Sequence, residues 1–335
     1  MGDGNGASDN GSRSNGARMN ANRQVGQQAA WSWDDALRGV VPPMITPLDD
    51  NRAIDAAAVR NVADYIFDGG CTGLFVAGGV GEGAWLSNAQ RAALVQSSVE
   101  AARGRGPVLV GCMLPGTAPA REAAIQAADL GADAIVAGMP YYFAPVDSAA
   151  QQRHIESLLQ ATPLPVLLYN IPQCTHAPLA VDAVEALSRE ERVLGIKDSW
   201  GNLAFFQALL TIKQQRPSFR VLQGMESASM PSLLLGGDGL VPGLGNVAPR
   251  VCVNLLRAAQ AGDLERCREL HAQIMRLSQM YTAAGGILAL YAGCHLLGLC
   301  RNLPAEPWTP IEGSQLDLVQ ATLNRDALQP RAVSA

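Results

Sequence analysis

The sequence predicts an α/β chain folded as a (β/α)8 TIM barrel with additional C-terminal helices. Three observations carry that expectation. From residue 39 onward, short and wholly apolar runs alternate with amphipathic stretches of helical period. Strands apolar along their whole length are buried on both faces, which is the condition of a parallel sheet covered by helices. Residues 31–262 hold eight such pairs, and a closed barrel of eight pairs typically takes ~250 residues. An open doubly wound sheet would need a glycine-rich phosphate turn after its first strand. Residues 42–47 read Pro-Pro-Met-Ile-Thr-Pro instead.

The apolar runs lie at 40–45, 73–77, 108–112, 134–137, 166–171, 193–197, 220–223 and 239–244. Their length of four to six residues suits strands and is too short for helices. Helical patterns follow at 56–67, 89–102, 118–130, 149–159, 180–187, 203–212, 227–235 and 249–259. Residues 1–30 are rich in Gly, Asn, Ser and Ala and nearly free of large apolar side chains. Such a segment buries too little surface to offset its chain entropy, so a disordered N-terminal extension is expected there. It has no apolar core of the kind a secretory signal needs. Past Gly262 the pattern turns purely helical, at 263–283, 286–297 and 315–323. Residues 263–335 are therefore expected to form a helical extension packed on the barrel, at a subunit interface.

Charge and composition exclude several function classes. The net charge is −5, with no basic face, which argues against nucleic acid or an anionic membrane as partner. No apolar run reaches membrane-spanning length. Seven cysteines are scattered without a C-x-x-C pair. Neither a zinc site nor a disulfide framework is expected, and a reducing cytoplasm fits best. No cofactor motif is present, so the partners expected are small molecules.

In a barrel of this class the chemistry sits at the C-terminal ends of the strands, and those ends can be searched in order. The first ends at Thr46, the second in Gly78-Gly79-Val80-Gly81-Glu82, the fourth in Pro140-Tyr141-Tyr142 and the fifth in Tyr169-Asn170-Ile171-Pro172. The sixth ends in Lys197-Asp198-Ser199, the seventh in Gly224-Met225-Glu226 and the eighth in Val241-Pro242. Lys197 stands out. The chain has 25 Lys and Arg, of which only Lys197 and Lys213 are lysine. Lys213 ends a helical pattern and reads as a solvated surface residue. Lys197 closes an apolar strand, where an ammonium is costly. A desolvated lysine has a lowered pKa, and its free amine can attack a carbonyl to form an imine. Arginine cannot do this, because it stays protonated. A plain strand-end pair with Asp198 is the competing reading. Tyr169, on the neighbouring strand, and Tyr142 are candidate proton donors beside such an imine. The glycines at 78–83 serve a tight turn or bring backbone N–H groups to a substrate carboxylate. Asp198 and Ser199 are expected to cap the following helix.

Together, Gly78–Glu82, Pro140-Tyr141-Tyr142, Tyr169–Pro172, Gly195-Ile196-Lys197-Asp198-Ser199 and Asn246-Val247-Ala248-Pro249 resemble the dihydrodipicolinate synthase / N-acetylneuraminate lyase family, in order and at the expected spacing. The resemblance implies a class I aldolase, commonly a homo-tetramer or dimer. Its lysine forms a Schiff base with pyruvate or another 2-oxo acid and then adds or releases an aldehyde. By motif position Lys197 is the lysine and Tyr169 the proton-shuttling tyrosine, with Tyr142 as its relay partner. Thr46, Gly79, Val80, Cys174, Glu226 and Val241 fall at substrate-binding positions.

The sequence departs from the family in ways that bear on substrate. Gly79 and Val80 replace two hydroxyl residues that help hold the 2-oxo acid carboxylate. Cys174 stands where dihydrodipicolinate synthases carry an arginine for the aldehyde's carboxylate. Val241-Pro242 replaces an Ile-Ser pair. The expectation is a lyase or aldolase acting on a 2-oxo acid that is not a true dihydrodipicolinate synthase. Two alternatives stay open: a hydro-lyase working on a 3-deoxy-2-oxo acid through the same imine, and a non-catalytic member that only binds a 2-oxo acid.

Overall fold

A computed structural model describes residues 31–328; the disorder expected at residues 1–30 lies outside them. Seven parallel strands follow one another around one curled sheet. They are β1 (Leu74–Val76), β2 (Val108–Gly111), β3 (Ala134–Ala137), β4 (Val166–Asn170), β5 (Val193–Asp198), β6 (Arg220–Gln223) and β7 (Gly239–Leu240). Helices α1 (Trp33–Leu37), α2 (Ala56–Asp68), α3 (Asn88–Ala102), α4 (Thr117–Asp129), α5 (Ser148–Ala161), α6 (Pro172–Thr175) and α7 (Val181–Leu187) precede β5. Then come α8 (Leu203–Gln215), α9 (Ser229–Leu234), α10 (Pro249–Gln260), α11 (Leu264–Ala283), α12 (Leu288–Leu296) and α13 (Gly313–Arg325). None of these is long and apolar enough to cross a membrane.

The eighth stave is residues 40–46, and here the structure differs from a full strand. Its pairing is reduced to single parallel bridges, Val40 to Leu240 on one side and Pro43 to Phe75 on the other. Pro42 and Pro43 have no amide hydrogen, so a ladder cannot run through them. The Asn246 side chain takes over. Its Oδ1 accepts from the Ile45 amide, and its Nδ2 donates to the Pro43 and Gly243 carbonyls. That buried carboxamide ties the closing stave to the turn after β7 and completes the (β/α)8 barrel.

Two apolar layers hold the fold. Inside the barrel, Phe75, Leu109, Val136, Leu167, Leu222 and Val241 pack together, joined by Leu37 of α1 and by Tyr169. The alternate strand residues, such as Leu74, Val108, Ile135 and Ile196, face the helices. This is the period-two division that strands impose. The helix caps also differ from expectation in one place. Asn202 caps α8, accepting from the Phe205 amide. Asp198 is still inside β5, and its Oδ1 accepts from Asn170 Nδ2 at 2.7 Å.

One glycine sets the geometry of β5. The register against β4 shifts between Val166 and Leu167, so that Leu167 faces Gly195 and Tyr169 faces Lys197. A Cβ on Gly195 would stand 2.0 Å from the Arg220 carbonyl oxygen on β6. Gly195→Ala therefore has to force β5 and β6 apart. It is expected to destabilise the protein by about 3 kcal/mol or more. The midpoint of urea unfolding checks this, and an unmoved midpoint would contradict the close approach.

Candidate active site

Lys197 and Tyr169 meet because their strands are neighbours in register. Both point into the barrel, and Lys197 is only 3% exposed. Its Nζ stands 4.2 Å from the Tyr169 ring centroid and 5.0 Å from that of Phe75. The two rings pack edge-on, 6.0 Å apart. Aromatic faces favour a cation but do not solvate it as water does. Burial accordingly pulls the Lys197 pKa down to about 7, while Glu226 and Cys174 push it back up. Burial raises the Tyr169 phenol well above its usual value, opposed by the Ser199 side chain. Near neutral pH about half of the Lys197 side chains are thus free amines, each beside a protonated phenol.

A cavity of about 310 Å³ opens at this end of the barrel, lined by the 78–84 turn, Tyr141, Tyr169, Ile171 and Cys174 among others. Gly79 faces it with open space where a side chain would stand: an added Cβ meets nothing within 4 Å. The backbone there is left accessible to a ligand, which is what a carboxylate cradle of N–H groups needs. Cys174 reaches the cavity from α6.

Other predicted site residues are placed differently. Tyr142 does not reach the lysine within this chain. It is 76% exposed and packs edge-on against the exposed Phe143. Its neighbour Tyr141 lines the cavity instead. Val80 packs against the helix layer rather than the cavity. Val241 is buried inside the barrel. Thr46 is buried too, its hydroxyl donating to the Gly81 carbonyl at 2.6 Å, so it braces the glycine turn from behind. Glu226 stays outside the cavity lining; its Oε1 accepts from Tyr281 Oη at 3.1 Å and from the Leu244 amide at 3.2 Å.

Several residues escaped sequence reasoning. Tyr291 of α12 accepts from the Thr46 amide and donates to Glu82 Oε2 at 2.8 Å. The same oxygen accepts from the Ala305 amide. Tyr281 of α11 holds Glu226, while Ile287 and Trp308 line the cavity. The C-terminal extension thus builds part of the site, beyond packing on the barrel. Arg91 of α3 is buried, donating to the Gly83 and Gly111 carbonyls at 2.6 Å each. It fastens the glycine turn to the end of β2. Trp85 also lines the cavity, and among these residues it alone carried a local signal, since it lies directly after the glycine-rich turn.

The model of the dihydrodipicolinate synthetase family matches residues 36–326. A probable 2-dehydro-3-deoxy-D-pentonate aldolase of Escherichia coli, YjhH, is 35% identical over 81% of this chain and 89% of its own. A 4-hydroxy-tetrahydrodipicolinate synthase of Methanopyrus kandleri is 29% identical over 88% of this chain and 98% of its own. Among solved structures, YagE is a prophage protein of the dihydrodipicolinic acid synthase family from E. coli, determined in complex with pyruvate. It superposes with a TM-score of 0.82 at 30% identity, covering 87% of this chain and 98% of its own. A monomeric dihydrodipicolinate synthase variant superposes at 0.83 with 26% identity, covering 88% and 98%.

Proposed function

The chain belongs to the dihydrodipicolinate synthetase family, and from that premise we propose that it is a lysine-imine lyase acting on a 2-oxo acid and an uncharged aldehyde. One observation carries the reading: the buried Lys197 amine, with a pKa near 7, lies against Tyr169 at the end of β5. At neutral pH about half of such amines are free to attack a 2-oxo carbonyl. Water leaves, and the protonated imine draws electrons from the adjacent carbon. Loss of a proton there gives an enamine, which adds to an aldehyde. In the reverse direction the same imine accepts the electrons of a breaking carbon–carbon bond. Tyr169 is the group in reach to move protons. The backbone at Gly79 is the seat for the carboxylate. Relatives named as synthases and as an aldolase, and a neighbour solved with pyruvate, favour this chemistry.

Assembly and location complete the proposal. Tyr142, Phe143 and Val146 are exposed together, a patch suited to contact with a second copy, as a dimer or tetramer. The free cysteines suit a reducing cytoplasm. The test of the reaction is release of pyruvate from a 4-hydroxy-2-oxo acid, followed by reduction to lactate in a coupled assay. Loss of water without pyruvate would move the reading to a dehydratase. No adduct with pyruvate and borohydride would leave only a binding protein.

The uncharged aldehyde follows from Cys174. Without a cation there, a carboxylate-bearing aldehyde lacks a charge-assisted hydrogen bond of about 1.5–3 kcal/mol. Aspartate semialdehyde should therefore react about ten- to a hundredfold less well than an uncharged aldehyde in kcat/KM. Cys174→Arg should move preference toward it by a similar factor. If the unmodified protein prefers aspartate semialdehyde, another group supplies the charge and this part of the reading fails.

A further inference from the structure

We propose that the aldehyde partner is aromatic and that Trp85 and Trp308 seat its ring; the inference rests on the lysine-imine reading above. Trp85, Tyr141, Tyr169 and Trp308 all line the cavity, with Met113 and Ile287 between them. No lysine, arginine or histidine lines it among the described residues. The one carboxylate there, Glu82, holds the Tyr291 hydroxyl and the Ala305 amide on Oε2. It therefore braces the turn and the C-terminal segment.

The two tryptophans meet edge-on with ring centroids 4.6 Å apart, and Trp85 remains 44% exposed. An indole face held by a neighbouring ring and left uncovered offers a ready surface for a third ring. Size agrees. A cavity of ~150 Å³ admits benzene, and this one measures about 310 Å³. Lys197, which carries the imine, is not in its lining but has its Nζ 4.2 Å from the ring centroid of Tyr169, which is. Polyols would find few hydrogen-bond partners on these walls, and a second carboxylate none that is cationic.

The step balances without an oxidant or reductant. The enamine carbon derived from pyruvate forms a bond to the aldehyde carbon. The carbonyl π pair moves to oxygen, which takes a proton from Tyr169. Water then adds to the imine carbon, the Lys197 amine leaves, and Tyr169 regains its proton from the medium. The product is a 4-aryl-4-hydroxy-2-oxobutanoate, the sum of pyruvate and the aldehyde. Cleavage runs the same steps backwards.

The experiment compares kcat/KM for benzaldehyde and butanal with pyruvate saturating, alongside borohydride trapping read by intact mass. Benzaldehyde should lead by about tenfold, the scale of one good ring–ring contact. Trp308→Ala should lower the benzaldehyde-to-butanal ratio by about that factor, and Trp308→Phe should keep it. A second readout needs no variant: benzaldehyde added to protein carrying the reduced pyruvyl adduct should quench tryptophan fluorescence saturably. No pyruvyl adduct at all would defeat the lysine-imine reading. A normal adduct with a butanal preference, or a ratio that Trp308→Ala leaves unmoved, would overturn the aromatic assignment alone. So would the absence of saturable quenching.

Discussion

Lys197→Arg should lose the reduced pyruvyl adduct completely, and turnover should fall by on the order of 10⁶-fold, the scale of losing a covalent nucleophile. The guanidinium keeps a charge at the end of β5 but cannot deprotonate to attack. Lys197 is buried among aromatic rings, so the variant's fold must be verified by circular dichroism. Peptide mapping of the unmodified protein should place the adduct on Lys197. An adduct on Lys213, or an active arginine variant, would end the assignment. Lys213 is an improbable rival on physical grounds, since its Nζ is paired with Asp238 at 2.9 Å.

The pH profile of trapping follows from the same residue. With its pKa at about 7, the free amine grows about tenfold between pH 6 and 8 and then levels off. An ordinary lysine would keep gaining until near pH ~10.4. The sign for stability is also determined. The folded pKa lies below the unfolded one, so between about pH 7 and ~10.4 the unfolded chain binds more protons at this site. The contribution of this site to stability therefore rises with pH across that window, and below it the full penalty of burying the ammonium is present. A trapping rate still climbing steeply above pH 9 would show the amine to be unperturbed.

Tyr169→Phe should slow turnover by ~10²–10⁴-fold, the range for loss of a positioned general acid/base. The ring itself remains, so the contacts with Phe75 and with Lys197 Nζ should persist. Borohydride trapping should still mark Lys197, at a reduced rate, because the nucleophile is intact. A variant with full kcat would remove Tyr169 from the proton path. In that case Tyr141, which also lines the cavity, becomes the phenol to test.

The contrast between the two neighbouring tyrosines explains where sequence reasoning stopped. Pro140-Tyr141-Tyr142 offers two phenols at one strand end. Adjacent residues of an extended segment point opposite ways, and nothing local says which faces the barrel. The structure turns Tyr141 in and leaves Tyr142 out. Thr46 and Val241, expected at substrate-binding positions, are drawn into backbone bracing and packing.

What the sequence by itself determined is local in origin. Alternating apolar runs and amphipathic stretches specify a parallel barrel, because period and length alone decide strand against helix. A lone lysine closing an apolar run marks the reactive strand, because burying that ammonium needs a reason. What only the tertiary structure decided depends on distant pairs. Glu82 meets Tyr291 and Ala305 across separations of 209 and 223 residues. Glu226 meets Tyr281 across 55, and Trp85 meets Trp308. No short-range periodicity encodes such contacts. They arise when the barrel closes on Asn246 and the C-terminal segment folds back to bring Ile287 and Trp308 to the cavity that Tyr169 lines.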